Sequence, residues 1–390
     1  MERHWYELGS GAAAWFAAPA QAAGAALVRR IANDVAGAEL RASGVRVRVA
    51  SPDSAAAVSA AARELGLEAD PAALQAVRLV IDSLDVAAIE PFWTALKYRR
   101  HGDELADPMG REPALSLRSM DSARPLRNRF HFDIGLPHAA AVVDAVKAAG
   151  AIEAEHATAA DPDGNEVCLP GFAAALLGDD PDLADWRAIG SAMVCYRTAS
   201  FGQGADLAAA AADVADAFGK PLLIDLRPDG VVIDSGKDQQ ENEDFEVDKD
   251  FADLARRIQA AARGLGLTAD PAPLHYIQIA IDAVDVPAAQ AFWMAVLGYR
   301  QDTRFTQDIY DPRRLGPVFW FQEMDASDQA RRAQRNRTHV ELSVAADHAQ
   351  SRIDAALATG GRIVREQPGR WTLADPEGNE IDLIGGNQFS

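Results

Sequence analysis

The stretch IDSLDVAAIEPFW at residues 81–93 returns as IDAVDVPAAQAFW at residues 281–293. Each copy has an Asp directly after the first Ile, a second Asp three residues later, and a Phe-Trp pair at its end. The apolar spacing predicts a strand followed by a helix whose Phe-Trp pair is buried. This strand–helix step sets the fold of the longer segment in each half of the chain.

The repeat extends well beyond this stretch. Three further pairs match in the same order: AARELGLEAD with AARGLGLTAD (61–70 and 261–270), NRFHFD with NRTHVE (128–133 and 336–341), and DPDGNE with DPEGNE (161–166 and 375–380). The spacing between copies grows from 200 to 214 residues, so the second copy carries additional loop residues. A repeat of this length indicates duplication of a whole set of domains.

The composition predicts a globular chain of two to four domains. Its 390 residues are 48% hydrophobic and 25% charged, with a formal net charge of −20. Such an acidic chain is not expected to bind nucleic acid or an anionic membrane surface. The two cysteines form no disulfide framework, and neither a signal segment nor a membrane-spanning run is visible, so we expect a cytoplasmic protein.

Each half begins with a short segment, at 1–70 and at 190–270. We predict a small α-β-β-α unit in each. Helical composition covers 11–34 and 54–67 in the first, and 205–219 and 251–267 in the second. Between these helices, sequences such as PLLIDLRP and GVVIDSG predict pairs of short strands.

The longer segments predict β-α-β-β-β units, two in each half. In HYIQIAID (275–282) the Ile residues alternate with Tyr276, Gln278 and Ala280, which predicts a half-buried strand. The helix at 287–298, the strand at 317–325 and a second unit beginning at 338–344 follow it. The overall class is therefore α+β.

The ordered motifs D-x-x-D-x6-F-W, L-[GK]-Y, N-R-x-H and D-P-[DE]-G-N-E resemble those of the vicinal-oxygen-chelate superfamily, which includes glyoxalase and bleomycin-resistance proteins. The resemblance covers roughly 75–172 and 275–388. It implies two tandem glyoxalase-like domains, at 71–175 and 271–390, each built from paired β-α-β-β-β units around a pocket and each preceded by a small α-β-β-α unit.

The short segments more weakly resemble pterin-4a-carbinolamine dehydratase units. That family has a His-His-Pro motif after its first helix, whereas this chain has Gly219, Lys220 and Pro221 there, and the first half has no equivalent His. We therefore expect a degenerate unit that serves packing or assembly rather than dehydratase activity.

The superfamily resemblance also implies four ligand positions for a divalent metal in each domain. Domain 2 then offers this set of donor side chains: Gln278, Gln322 (or Trp320), His339 and Asp382. Domain 1 offers Arg78, Arg118 (or Ser116), His131 and Cys168, where two guanidiniums would repel a cation. Glu341 shares a strand face with His339, so both are candidate catalytic residues, with Glu341 as an additional ligand or a general base.

The same positions predict a ligand pocket. Its candidate residues are Arg78, Arg118, His131, Gln278, Gln322, His339 and Trp320. The two arginines would hold a carboxylate or phosphate, unless they pair with local acids such as Asp82 or Asp133. Structural hydrogen bonding for the histidines and core packing for Trp320 are the alternatives.

We expect a protein that binds a small organic molecule, anionic or aromatic, in its pockets without a metal cofactor. One alternative is a metal-dependent lyase, isomerase or dioxygenase that uses a divalent metal in domain 2. Another is an assembly protein with unused pockets. The duplication predicts a monomer with internal pseudo-twofold symmetry or a homodimer.

Overall fold

The computed structural model describes residues 4–8, 11–155, 157–170, 177 and 180–389. The chain forms two compact units that do not follow sequence order. The small body comprises Met1–Leu74, Phe172–Leu274 and Asn387–Ser390, and the large body comprises Gln75–Gly171 and His275–Gly386. The structure thus groups the two short segments together and the two long segments together.

The small body contains one strand–helix pattern from each half. The first half contributes β1 (Tyr6–Glu7), β2 (Ala12–Ala17), α1 (Gln21–Arg30), β3 (Gly37–Arg41), β4 (Gly44–Val49), α2 (Pro52–Glu64) and β5 (Glu68–Ala69). A short 3-10 helix, Pro71–Ala73, follows β5.

In the large body, the first half continues with two units. They contain β6 (Gln75–Ser83), α3 (Val86–Ala95), β7 (Arg99–His101), β8 (Glu104–Ala106) and β9 (Ala114–Ser119), then β10 (Phe130–Gly135), α4 (Ala139–Ala148), β11 (Glu153–Glu155), β12 (Thr158–Ala160) and β13 (Glu166–Cys168).

The second half repeats this order. Its part of the small body consists of β14 (Arg187–Ala188), β15 (Ala192–Arg197), α5 (Phe201–Phe218), β16 (Leu223–Arg227), β17 (Gly230–Asp234), α6 (Lys249–Gly264) and β18 (Thr268–Ala269). Its part of the large body consists of β19 (Tyr276–Ala283), α7 (Val286–Leu297), β20 (Arg300–Gln301), β21 (Asp308–Tyr310), β22 (Val318–Glu323), α8 (Gln329–Ala333), β23 (Thr338–Ala345), α9 (Ala349–Ala358), β24 (Arg362–Gln367), β25 (Arg370–Ala374) and β26 (Glu380–Gly386).

One sheet joins the two halves of the small body. Its order is β1-β2-β4-β3-β16-β17-β15-β14, with β5 and β18 paired to β2 and β15. The halves meet where β3 and β16 run antiparallel, with Leu40 opposite Ile224. The buried faces of α1, α2, α5 and α6 contribute to one apolar core with residues of this sheet.

The predicted α-β-β-α pattern of each short segment omits two strands before its first helix and one after its second helix. Residues 12–17 form β2 and not helix, and β15 precedes α5. Trp15 and Phe16 are buried in β2, which is paired along its length with β4. These sheet contacts outweigh the weak helix preference of the alanines, and the helix begins only after Pro19.

The large body contains two eight-stranded sheets, and each one combines units from different halves. Sheet I has the order β24-β25-β26-β23-β6-β9-β8-β7, and sheet II has the order β11-β12-β13-β10-β19-β22-β21-β20. The α+β class and the β-α-β-β-β units are confirmed. Each unit, however, shares its sheet with a unit from the other half of the chain, and not with the second unit of its own half.

Alternation along the central strands separates a core face from a polar face. Leu79 and Ile81 of β6, like Val340 and Leu342 of β23, lie in the apolar core of the large body. In β19, however, every residue is buried, so the prediction of a half-buried strand was wrong. Its polar side chains are covered because they face a cluster of other side chains from sheet II.

The Phe-Trp and D-P-x-G-N-E motifs are joined within each copy. The indole Nε1 of Trp93 donates to Asp161 Oδ2 at 3.2 Å, and that of Trp293 donates to Asp375 Oδ2 at 3.1 Å. Both carboxyl groups are buried, and burial raises their pKa values despite several hydrogen bonds. These motifs therefore support the scaffold.

The N-R-x-H motifs link the two copies reciprocally. The backbone N–H of Arg129 donates to Asn336 Oδ1 at 2.9 Å, and that of Arg337 donates to Asn128 Oδ1 at 2.8 Å. Each arginine side chain then reaches the Gly-Asn turn of the other copy. Arg129 Nε donates to Asn379 Oδ1, and Arg337 Nε donates to Asn165 Oδ1. We call this set of bonds the Asn–Arg lock.

We predict that Asn336→Ala destabilises the large body by about 2 kcal/mol, because it removes two buried hydrogen bonds and leaves the Arg129 N–H without an acceptor. Urea unfolding measures the change in free energy. The exposed Gln350→Ala on α9 is the matched control and should change stability by less than about 0.5 kcal/mol. Equal effects of the two substitutions would contradict the structural importance of the lock.

The buried His275 predicts a loss of stability in acid. His275 is fully buried beside the Tyr98 ring, and burial lowers the pKa of its imidazole to about 4. In the unfolded chain, His275 binds a proton near its ordinary pKa of 6.5. The free energy of unfolding is therefore highest above pH 6.5 and falls as the pH drops from 6.5 towards 4. The loss reaches about 3 kcal/mol.

His275→Gln is the natural control, because Gln75 occupies the equivalent position of the first copy. Urea midpoints at pH 7.5, 6 and 5 should show a smaller pH dependence for this variant than for the native chain. The same pH dependence in both proteins would mean that His275 is not the titrating group.

Candidate functional site

Pairing of strands from different halves decides which side chains meet. In sheet I, β23 runs antiparallel to β6 and places Glu341 opposite Arg78. The parallel pair β23–β26 places Glu341 beside Asp382. In sheet II, the equivalent pair β10–β19 places Asp133 opposite Gln278. Each sheet therefore carries one polar cluster to which both halves contribute.

The predicted metal set of Gln278, Gln322, His339 and Asp382 is brought together only in part, because His339 and Asp382 meet, with Glu341 beside them, and the two glutamines do not join them. Gln278 and Gln322 lie on sheet II, whereas His339 and Asp382 lie on sheet I. The set predicted for domain 1 is divided in the same way, since Arg78, Arg118 and Ser116 belong to sheet I, and His131 and Cys168 to sheet II. The error arose because ligands were grouped by half of the chain.

We define site I as the cluster on the polar face of sheet I. Its members are Arg78, Glu104, Ser116, Arg118, His339, Glu341, Arg370, Thr372 and Asp382. Site II is the equivalent cluster on sheet II. Its members are His131, Asp133, Thr158, Cys168, Gln278, Asp308, Trp320 and Gln322.

Three guanidiniums converge on the Glu341 carboxylate in site I. Arg118 Nη2 and Arg370 Nη2 both donate to Oε1, at 2.7 and 2.5 Å, and Arg78 Nη1 donates to Oε2 at 3.1 Å. The Glu341 side chain is only 1% exposed. Burial by itself would raise the pKa of Glu341, but these guanidiniums hold it below the ordinary value.

This arrangement corrects two expectations. Arg78 and Arg118 pair neither with Asp82 nor with Asp133; Asp82 instead accepts from Arg124 at 2.8 Å. Glu341, proposed as a general base, is the counter-ion of three arginines, which strongly stabilise its charged form. A base must be able to take up a proton, and Glu341 is poorly suited to do so.

Asp382 forms the second part of site I. It accepts from Arg370 Nη2 and from the Thr372 hydroxyl, each at 2.5 Å, and lies 3.5 Å from His339 Nε2. Burial opposes its ionisation, yet the hydrogen bonds from these groups hold the pKa of Asp382 far below its ordinary value. His339 Nδ1 is buried and has no hydrogen-bond partner among the described residues.

Donor atoms of His339, Glu341 and Asp382 also lie within 4.8 Å of one another, but the guanidiniums around them disfavour a divalent metal. Glu341 and Asp382 would attract the ion, but Arg78, Arg118 and Arg370 would each repel it by about 8 kcal/mol at roughly 4 Å, with an effective dielectric constant of about 20. Arginine cannot relieve this repulsion by losing its proton. The carboxylates already have their cationic partners.

Site II presents different chemistry at the same positions. Donor atoms of His131, Asp133 and Cys168 lie within 4.8 Å of one another. His131 Nε2 lies 3.9 Å from Asp133, and its Nδ1 lies 3.9 Å from Asp282. Burial lowers the pKa of His131 even though both carboxylates oppose this, so the imidazole favours its neutral form.

The other members of site II also differ from those of site I. Gln278 Nε2 donates to Asp308 Oδ1 at 3.2 Å, where site I has the Arg78–Glu104 ion pair. The Trp320 ring lies perpendicular to His131 at 6.2 Å. Gln278 and Gln322 stand in register with Arg78 and Arg118, so those two guanidiniums have no counterpart in site II.

The donor set of site II does fit a borderline divalent metal. Neutral imidazole, carboxylate and thiolate are typical ligands of zinc. In the metal-free protein, burial and the charge of Asp133 raise the pKa of Cys168 to about 11, so a bound ion would have to displace the thiol proton.

Several functional residues were missed by the sequence interpretation. Arg370, Thr372 and Glu104 in site I, and Asp133 and Asp308 in site II, had no assigned ligand role. Arg370 and Thr372 alternate on β25 and are two positions apart, so they share the face that carries Asp382 on the neighbouring strand. That alternation was the available signal.

The family comparison agrees with this fold. Residues 78–170 and 278–384 match the glyoxalase-like domain family, and together they make up slightly more than half of the chain. The chain therefore belongs to the glyoxalase-like domain family, as the sequence motifs predicted. Membership places it on a fold that binds small molecules.

Three solved structures illustrate the likeness. Glyoxalase I from Zea mays is 13% identical, over 80% of this chain and 93% of that chain, with a TM-score of 0.38. A glyoxalase/bleomycin resistance protein/dioxygenase family enzyme from Burkholderia phytofirmans is 16% identical, over 29% and 97%, with a TM-score of 0.22. A mutant of the fosfomycin resistance protein FosX from Listeria monocytogenes is 12% identical, over 28% and 86%, with a TM-score of 0.22.

A search of proteins with curated descriptions finds no match. Among the described residues, no helix is long and apolar enough to cross a membrane.

We predict that Cys168 reacts slowly with thiol reagents. A pKa of about 11 instead of 9 lowers the thiolate fraction at pH 8, which should slow labelling by roughly 100-fold relative to an ordinary thiol. Labelling with DTNB in a Cys195→Ala background isolates the site. Urea-unfolded protein should react at the ordinary rate, and rapid labelling of the folded protein would contradict the raised pKa.

Proposed function

We propose that this glyoxalase-like protein binds a small organic molecule in site I without a metal ion. The observation that carries the proposal is the ion-pair cluster around Glu341, in which three guanidiniums already neutralise the carboxylates that a cation would need. The polar groups needed to orient a ligand are therefore supplied by side chains alone.

The cluster is preorganised. Arg78 is held by Glu341 and by Glu104, and Arg370 is held by Glu341 and Asp382. A guanidinium with two carboxylate partners loses little further freedom when a ligand binds, so less of the binding free energy is spent on ordering side chains. His339 adds a buried imidazole whose ring is positioned by Asp382.

A second candidate function belongs to site II. The convergence of His131, Asp133 and Cys168 favours a bound divalent ion such as Zn²⁺. Such an ion supplies Lewis-acid polarisation of a ligand oxygen. The chain's own residues would hold the ion through one nitrogen, one oxygen and one sulfur, while the Trp320 ring lies perpendicular to that of His131 at 6.2 Å. This candidate corresponds to the metal-dependent enzyme class, transferred from domain 2 to site II.

Elemental analysis of the purified chain, before and after treatment with EDTA and refeeding with Zn²⁺, separates the two sites. We expect at most one Zn²⁺ per chain, lost in His131→Ala and Cys168→Ala and retained in the matched variants His339→Ala and Asp382→Ala. Two-site occupancy, or loss of metal in Asp382→Ala, would overturn the assignment of site I as metal-independent.

Ligand binding is measured on the EDTA-treated protein by ligand-observed NMR with a library of small polar and aromatic compounds. Binding of at least one compound without metal, weakened by His339→Ala and unchanged by His131→Ala, is the expected result. Binding that requires added metal would contradict the proposal.

A further inference from the structure

We infer that the ligand of site I carries a carboxylate, and that this group binds to Arg118 and Arg78. The inference rests on the proposed function and names the class of molecule that the site takes. The three arginines around Glu341 differ in how many carboxylates each one contacts.

Arg118 is the least constrained of the three. Its side chain is 36% exposed, compared with 28% for Arg78 and 32% for Arg370. Within the described residues it makes one ion pair, through Nη2, whereas each of the other two arginines contacts two carboxylates. The Nε and Nη1 donors of Arg118 have no partner among the described residues, and the second N–H of Nη2 lies beside one of them. Two such adjacent N–H donors of a guanidinium match the two oxygens of a carboxylate.

The charge of the cluster favours a carboxylate over a phosphate dianion. The formal charges of Arg78, Arg118 and Arg370 balance those of Glu104, Glu341 and Asp382. Site I consequently offers directed donors without excess positive charge. A singly charged group can use those donors. A doubly charged group would be repelled more strongly by the nearby carboxylates, without additional positive charge to offset the repulsion.

A second observation also points to a bound molecule. The His339 residue is 6% exposed, and its Nδ1 has no partner among the described residues. A buried polar atom without a partner is costly unless a ligand or water satisfies it. His339 and Glu341 lie on the same face of β23, so a molecule held by Arg118 lies on the face that also carries His339.

Site II supplies an internal comparison. It has Gln278 and Gln322 in register with Arg78 and Arg118, and Trp320 in register with Ser116. A carboxylate would therefore find neither guanidinium there. The two sites of one chain are expected to select different ligands, and the carboxylate should bind to site I alone.

The test uses the EDTA-treated 390-residue chain and three matched pairs of probes: acetate and acetamide, pyruvate and pyruvamide, benzoate and benzamide. Ligand-observed NMR titrations at pH 7.5 measure each Kd. At least one carboxylate should bind about tenfold more tightly than its amide. Phenylphosphonate, compared with benzoate, reports on the preference for a single charge.

Arg118→Gln and Arg78→Gln introduce the residues of site II into site I. Each should weaken carboxylate binding about tenfold or more and weaken amide binding by much less, because the amide forms only a neutral acceptor contact. Arg29→Gln removes the same charge from an exposed position of the small body and is the matched control. Arg118→Lys, which keeps the charge but loses the planar pair of donors, should also weaken binding. Circular dichroism confirms that each variant is folded. If Arg78→Gln does not fold, Arg118→Gln alone tests the inference, because the Arg118 side chain is partly exposed.

The outcomes are distinguishable. Equal binding of carboxylates and amides, or carboxylate binding that survives Arg118→Gln, overturns the inference while metal-free ligand binding stands. Tighter binding of phenylphosphonate than of benzoate overturns the preference for a singly charged group. If no probe or library compound binds until metal is added, the proposed function itself fails.

Discussion

The antiparallel pairing of strands from opposite halves of the chain is the constraint on which the large body depends. β6 pairs with β23 and β10 pairs with β19, so neither eight-stranded sheet can be completed by one half alone. The Asn–Arg lock adds side-chain bonds that run reciprocally between the same two copies. Because the polar clusters lie on these paired strands, each cluster also takes residues from both copies.

Local features of the sequence were sufficient for the units but not for their partners. Apolar alternation and helical spacing predicted the β-α-β-β-β units correctly, because each depends on residues close together in the chain. Strand pairing is non-local, and the opening strands at 75–83 and 276–283 have similar patterns. The local sequence around each of these two strands is equally compatible with pairing to β23. The grouping of Gln278 with His339 failed for this reason, although each position was correctly placed on a strand.

The alanine-rich segment at 12–17 shows a second limit of prediction. Alanine favours helix, but by only a fraction of a kcal/mol per residue relative to most other residues. Pairing of β2 with β4 along six residues, together with burial of Trp15 and Phe16, outweighs that preference. Composition is thus a weak guide where a strand is completed by distant partners, whereas the amphipathic α6 was predicted well because its pattern is local.

Duplication separates the residues that build the fold from those that determine its chemistry. The Trp–Asp bonds and the Asn–Arg lock occur twice with nearly the same distances, so they belong to the scaffold. At the strand positions facing the clusters, arginine is replaced by glutamine and Asp382 by Cys168. Loss of the Arg78 and Arg118 guanidiniums and exchange of the Asp382 carboxylate for the Cys168 thiol alter what each site attracts, while the sheets remain alike. One scaffold therefore presents two clusters of different chemistry, and a difference in what they bind would come from these side chains, not from the shared fold.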